Sequence, residues 1–196
     1  MFWRGALDAG AARVGWKLGM GDAERIGGEI AVGHLTSASV LAPGSAFVGD
    51  RMASLSVDAE VALEIGRDVG SDVDQADARA AIAAYGPALE IVDLGCAGDG
   101  PEAVIAGNVF HRAVAFGAFS VDMPEGADGR VLVNGEVRAS APAPAYFADR
   151  VCAAARLLAS VGEGLCAGDR LITGSSCRWR CNPATTSLPT SARSGR

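Results

Sequence analysis

The segment Leu55–Ile65, LSVDAEVALEI, alternates: Val57, Ala59, Val61, Leu63 and Ile65 fall on one side, and Ser56, Asp58, Glu60 and Glu64 on the other. Period two is the signature of a strand with one face against a core. A half-buried strand is therefore expected. Positions i and i+2 of a strand share a face and lie about 7 Å apart, so Asp58 and Glu60 stand side by side. Either a cation sits between them, or they form the wet face of an antiparallel sheet.

Elsewhere, short apolar runs are separated by Gly, Asp and Pro clusters, with 26 glycines in all. That pattern suits many short strands joined by turns, with a few helices. After Asp72 and Asp74, either of which could cap, the alanine-rich run Ala76 to Tyr85 predicts a helix ending at Gly86-Pro87. A strand is expected from Ala88 to Asp93. Asn134-Gly135 lies between two β-favouring runs in residues 130–138, and both turn residues tolerate positive φ, so a two-stranded hairpin is expected. From Ala145 to Ser160, Phe147, Val151, Ala154, Ala155, Leu158 and Ala159 recur at helical spacing, closing at Gly162. A turn at Ala167-Gly168-Asp169 then leads into a strand at Arg170 to Thr173.

With 196 residues, 49% of them hydrophobic, the chain can bury one core and reads as one ordinary domain. Acidic residues outnumber basic ones 23 to 17, and no Lys/Arg block could neutralise a run of phosphates, so nucleic acid is not an expected partner. No apolar stretch approaches the roughly 20 residues that cross a bilayer, and Met1-Phe2-Trp3-Arg4 begins no long apolar leader. No membrane partner and a cytoplasmic location are expected. Cys96, Cys152, Cys166, Cys177 and Cys181 form no CxxC pair, which points to reduced thiols, mostly filling the core. His34 and His111 are the only histidines and lack HExxH spacing, so a metal would have to be held by oxygen.

Glu90 sits in the apolar run Ala88-Leu89-Glu90-Ile91-Val92, where a buried charge is costly unless a cation or strong donors meet it. Exposure at a sheet edge is the alternative. Together with Asp58 and Glu60 it makes a hard-oxygen set suited to Mg²⁺ or Mn²⁺.

Four strings carry a family resemblance: Gly15-Trp16-Lys17-Leu18-Gly19, Val57-Asp58-Ala59-Glu60-Val61-Ala62, Ala88-Leu89-Glu90-Ile91-Val92-Asp93, and Ala167-Gly168-Asp169-Arg170-Leu171-Ile172-Thr173-Gly174. In this order and approximate spacing, over about residues 12–174, the chain resembles the fumarylacetoacetate hydrolase superfamily, on its 2-keto-4-pentenoate hydratase and 4-oxalocrotonate decarboxylase side. The resemblance implies an α+β fold, a mixed and mainly β roll with flanking helices, working as a homo-oligomer. It also implies one Mg²⁺ or Mn²⁺ held by Asp58, Glu60 and Glu90, with Asp58 standing where the family has a longer Glu. A small-molecule 2-keto or 2-enol acid, such as 2-hydroxypenta-2,4-dienoate from aromatic catabolism, would chelate that ion and be hydrated, in a hydro-lyase reaction. Decarboxylation or C–C hydrolysis is the sibling outcome, and an inactive remnant the non-enzymatic one.

Lys17 matches the family's lysine and would act in acid/base catalysis or balance an enolate; an ordinary surface lysine is its alternative. Asn108 matches a family position and is expected to bind substrate. Where the hydratases carry an acid, this chain has Ser37-Ala38-Ser39. His111 is a candidate replacement proton carrier and Arg112 a candidate carboxylate clamp, with a structural role for His111 equally open.

Composition changes after Gly174: residues 175–196 carry several arginines and no acid, and are rich in Ser, Thr and Pro. Residues 1–174 are expected to be the catalytic domain, shorter at its start than the family's, and 175–196 a tail foreign to it. Read from the third base of each codon, Asn182 to Ala192 can encode a string resembling the family's ending. A reading-frame shift near Gly174 to Ser176 is therefore expected, with loss of the last strands, and a natural disordered extension is the alternative.

Overall fold

In the computed structural model, which describes residues 2–20, 23–26, 28, 30–49, 52, 54–95, 100–123 and 126–181, strands and short helices interleave. The first half runs α1 (Phe2–Asp8), β1 (Arg13–Met20), α2 (Ala23–Ile26), β2 (Ile30–Thr36), β3 (Leu55–Ile65), α3 (Gln75–Ala80) and β4 (Ile82–Asp93). The second half runs α4 (Pro101–Ala106), β5 (His111–Phe116), β6 (Asp128–Val133), β7 (Glu136–Pro142), α5 (Phe147–Ser160) and β8 (Arg170–Arg180). Cys96 and residues 182–196, the greater part of the expected tail, lie outside the described residues.

Six strands form one mixed sheet in the order β2-β1-β8-β3-β4-β5, with β1 and β8 parallel and the other neighbours antiparallel. Just past β2, Val40 bridges to Val114 on β5, and the Leu41 N–H donates to the Val114 carbonyl at 2.8 Å. Chain from one end of the sheet thus meets the strand at the other, and the sheet curls into a roll with an inside and an outside. The fold is the expected α+β, mainly β roll with flanking helices.

The outside carries the main core. Trp16, Leu18, Val61, Leu63, Ile65 and Leu171 pack under α5, whose Phe147, Val151, Ala154, Ala155 and Leu158 are buried. Each such large side chain contributes about 1.5–3 kcal/mol by leaving water. Ala159, expected on the same face, is exposed at the last turn. The β6–β7 hairpin covers the far end of the same face through Val131 against Val57 and Ala59. It turns at Asn134 (φ 54°) and Gly135 (φ 82°) as the sequence predicts. Inside the roll a smaller apolar group, Leu35, Ala62, Ala88, Val114 and Ile172, fills one level.

Three expectations are corrected. β3, expected to be half-buried, is buried along both faces, because the roll closes over the side that carries Asp58 and Glu60. The helix expected to reach Tyr85 stops at Ala80, capped by Asp74, whose carboxylate accepts from the Asp77 N–H at 2.8 Å. Ile82 to Pro87 belong to β4, where pairing along β3 outweighs the helical preference of alanine. Pro87 is tolerated because its backbone faces beyond the β5 ladder, which begins at Ala88, and only its carbonyl is used, accepting from Gly117. Finally, β8 does not end at Thr173: it continues to Arg180, pairing with Ser56 to Ala59 of β3. Among the described residues, no helix is long and apolar enough to cross a membrane.

Candidate metal centre

Asp58 on β3 lies directly opposite Glu90 on β4, and Glu60 is two residues further along β3. Alternation turns all three into the roll. A ligand oxygen from each falls within 4.8 Å of the others, and the residues are only 2%, 5% and 1% exposed. Three carboxylates out of water at one point require positive charge or strong donors.

Lys17 supplies the first cation. Its neighbours clear the way: a Cβ on Gly33, its partner across β2, would stand 2.8 Å from the Lys17 Cγ, and one on Gly19 would stand 2.2 Å from Val109 Cγ1. The side chain therefore runs along the inner wall, and Nζ donates to Glu90 Oε1 at 2.5 Å and to the Val109 carbonyl at 2.9 Å. The same Glu90 oxygen meets His111 Nδ1 at 2.7 Å, while His111 Nε2 lies 3.0 Å from Ser39 Oγ. A carboxylate only accepts, so Nδ1 carries the proton. Glu60 Oε2 accepts from the Gly174 N–H at 2.9 Å. At the mouth of the roll, Arg178 on β8 sits opposite Asp58. Its Nε and Nη2 each donate to a different Asp58 oxygen, both at 2.6 Å.

These contacts divide the carboxylates. Burial alone would push Glu90 up, but Lys17 and His111 outweigh it and hold the group below its ordinary range. Glu60 is pushed well up, by burial first and then by the charge on Glu90. Burial also raises Asp58, against the pull of Arg178, while the hydrogen bonds to Asp58 raise Arg178.

Of the residues singled out from sequence, the fold brings together Asp58, Glu60, Glu90, Lys17 and His111. Asn108 and Arg112 are engaged elsewhere. Asn108 Oδ1 accepts from the His34 N–H at 2.6 Å and its Nδ2 donates to the His34 carbonyl at 2.9 Å. Arg112 donates to the carbonyl of His111 at 2.7 Å. Asn108, Val109 and Phe110 all have positive φ, 58°, 51° and 66°, a left-handed turn unusual for three non-glycine residues and strained for a β-branched one. That turn aims the Val109 carbonyl at Lys17 and starts β5 at His111.

Ser39, the Gly174 N–H and Arg178 join the site without a sequence signal of their own. Ser39 lies where the resembling hydratases carry an acid, and its hydroxyl meets His111. Arg178 lies in the compositionally distinct stretch after Gly174, where Cys177 and Trp179 alternate with arginines as in a strand.

The donor set fits a hard divalent cation: among the described residues the ligand atoms that converge within 4.8 Å are three carboxylate oxygens, from Asp58, Glu60 and Glu90. Fold and site define a mixed α+β roll with an acid-lined interior. The model of the family described as fumarylacetoacetate (FAA) hydrolase, C-terminal, matches residues 25–188, and the chain belongs to that family. Among solved structures, it is similar to 4-oxalocrotonate decarboxylase from Pseudomonas putida G7, complexed with magnesium and adipate, at TM-score 0.80 and 22% identity, covering 93% of this chain and 75% of that one. Fumarylpyruvate hydrolase from Pseudomonas aeruginosa, in complex with Mn²⁺ and pyruvate, gives TM-score 0.62 and 16% identity, covering 90% and 87%. A 5-carboxymethyl-2-hydroxymuconate delta-isomerase from Mycobacterium smegmatis gives 0.61 and 17%, covering 91% and 77%. At these identities the likeness is one of fold. No curated protein matches the chain in sequence.

Proposed function

We propose that this protein is a divalent-metal-dependent hydro-lyase acting on 2-keto (2-enol) acids such as 2-hydroxypenta-2,4-dienoate, in the breakdown of aromatic compounds. The observation that carries the reading is the convergence of Asp58, Glu60 and Glu90 within 4.8 Å inside the roll, beside Lys17 and His111. Those carboxylates would hold Mg²⁺ or Mn²⁺, which would polarise the 2-keto oxygen as a Lewis acid. Lys17 Nζ, fixed between Glu90 and the Val109 carbonyl, places positive charge where an enol oxygen would develop. His111, oriented by Glu90 and in contact with Ser39, is the proton carrier. Asn108, at the start of the turn, and Arg112, on β5 just after it, would serve substrate binding. The protein would work in the cytoplasm as a homo-oligomer.

Residues 1–174 carry this proposed chemistry. We attribute the change of character after Gly174 to a reading-frame shift, which resequencing of the gene tests.

The decisive experiment follows the loss of 2-hydroxypenta-2,4-dienoate by its ultraviolet absorbance, with Mg²⁺ or Mn²⁺ and with a chelator. Metal-dependent turnover, abolished by chelation and in Glu90→Ala, is expected. Failure to consume this or related enol acids by metal-loaded protein would end the functional reading while leaving family membership intact. Decarboxylation and C–C hydrolysis would draw on the same polarisation, and product analysis separates them from hydration.

A further inference from the structure

We propose that Arg178 is an internal cation that competes with the divalent metal for Asp58, so that metal entry requires the guanidinium to swing out of the mouth of the roll. The proposal rests on reading Asp58, Glu60 and Glu90 as the metal ligands. Three observations support it.

The first is occupancy. Arg178 engages both oxygens of Asp58 at 2.6 Å, the forked geometry in which a guanidinium matches a carboxylate. An ion bound by Asp58 would sit against the guanidinium, two cations on one small group.

The second is the route of exit. Asp58's side chain is 2% exposed and that of Arg178 40%, so the arginine covers the acid from the solvent side. It can leave by rotating its own long side chain, with β8 undisturbed. Lys17 has no such freedom, being 3% exposed and held by two partners.

The third is charge. If a bound ion kept all three carboxylates ionised, Lys17 and that one divalent ion would already balance them. A docked Arg178 in addition would leave an uncompensated positive charge in a largely buried site, which low-dielectric surroundings penalise. Docked arginine and bound metal are thus alternative ways of neutralising Asp58.

The test is Mn²⁺ binding to the full chain, by calorimetry and by loss of the free-ion electron paramagnetic resonance signal. Arg178→Gln should tighten the Kd at least tenfold, and Arg178→Lys, which keeps the charge but lacks the planar fork, should fall between. Arg138→Gln, the same charge change on the exposed hairpin, should stay within twofold of the unaltered protein. Equal affinity in the unaltered chain and Arg178→Gln would overturn the competition and leave the ligand assignment standing. Absence of Mn²⁺ binding in both would overturn the ligand assignment and the competition with it. A second measurement needs no substitution: phenylglyoxal labelling of Arg178, read by peptide mapping, should rise several-fold when Mn²⁺ is added. Unchanged or reduced labelling contradicts the proposal.

Discussion

Lys17 and Glu90 meet across the inside of the roll, Nζ to Oε1 at 2.5 Å, with neither side chain more than 3% exposed. Each is the other's main compensation for lost water. Glu90→Ala should therefore leave a buried ammonium and cost about 3–5 kcal/mol, and Lys17→Met should cost a similar amount. Replacing both, as Lys17→Met with Glu90→Met, should cost clearly less than the sum of the singles. Urea unfolding of the four proteins closes the cycle; strict additivity would show that the two charges do not depend on each other.

His111 bonds Glu90 through one ring nitrogen and Ser39 through the other. If it carries a proton in the proposed reaction, His111→Gln should lower kcat by about 10²–10⁴-fold while changing Mn²⁺ affinity only a few-fold. Steady-state kinetics paired with metal titration distinguishes this from a purely structural part, in which both would change together.

His34 packs against Trp16, ring centroids 4.8 Å apart. Burial first, and the positive charge of Arg13 second, lower its pKa to about 4, against about 6.5 for an unperturbed histidine. Between those values the unfolded chain binds more protons than the folded one, so stability from this residue is full above pH 6.5 and is lost as the pH falls toward 4. His34→Phe should flatten that part of the stability–pH curve. Urea midpoints measured from pH 7 to pH 4 check it, and an unchanged slope would count against the assignment.

Gly19 leaves no room for a side chain. An added Cβ would stand 2.2 Å from Val109 Cγ1, so Gly19→Ala should cost about 1–3 kcal/mol through overpacking. Because the obstacle is one methyl group, Val109→Ala in the same chain should recover part of the loss. Thermal melts of the single and double variants provide the comparison.

What could be read in advance followed the range of the interactions. The alternation of Val57 to Ile65 and the turn at Asn134-Gly135 are local, and both appear as expected. Placing Asp58 opposite Glu90 depends on the register of two strands separated by α3, which no local pattern encodes; the family motifs supplied it. That β3 is buried on both faces rather than one follows from the curl of the whole sheet, which alternation within a single strand does not encode. Ile82 to Pro87 misled for a related reason: alanine favours a helix in isolation, but a long neighbouring strand offered those residues a ladder. The composition around Arg178 carries no sign of its place, which follows from the β8 register that sets it opposite Asp58.

The side chain of Asn108 does for β2 what another strand would do, giving and taking one hydrogen bond with the backbone of His34. β2 lies at the end of the sheet order, where open backbone groups invite a neighbouring molecule to stack on. At His34 that invitation is withdrawn: a second polypeptide laid along this border would find both groups taken, and could register there only by first prising the amide away.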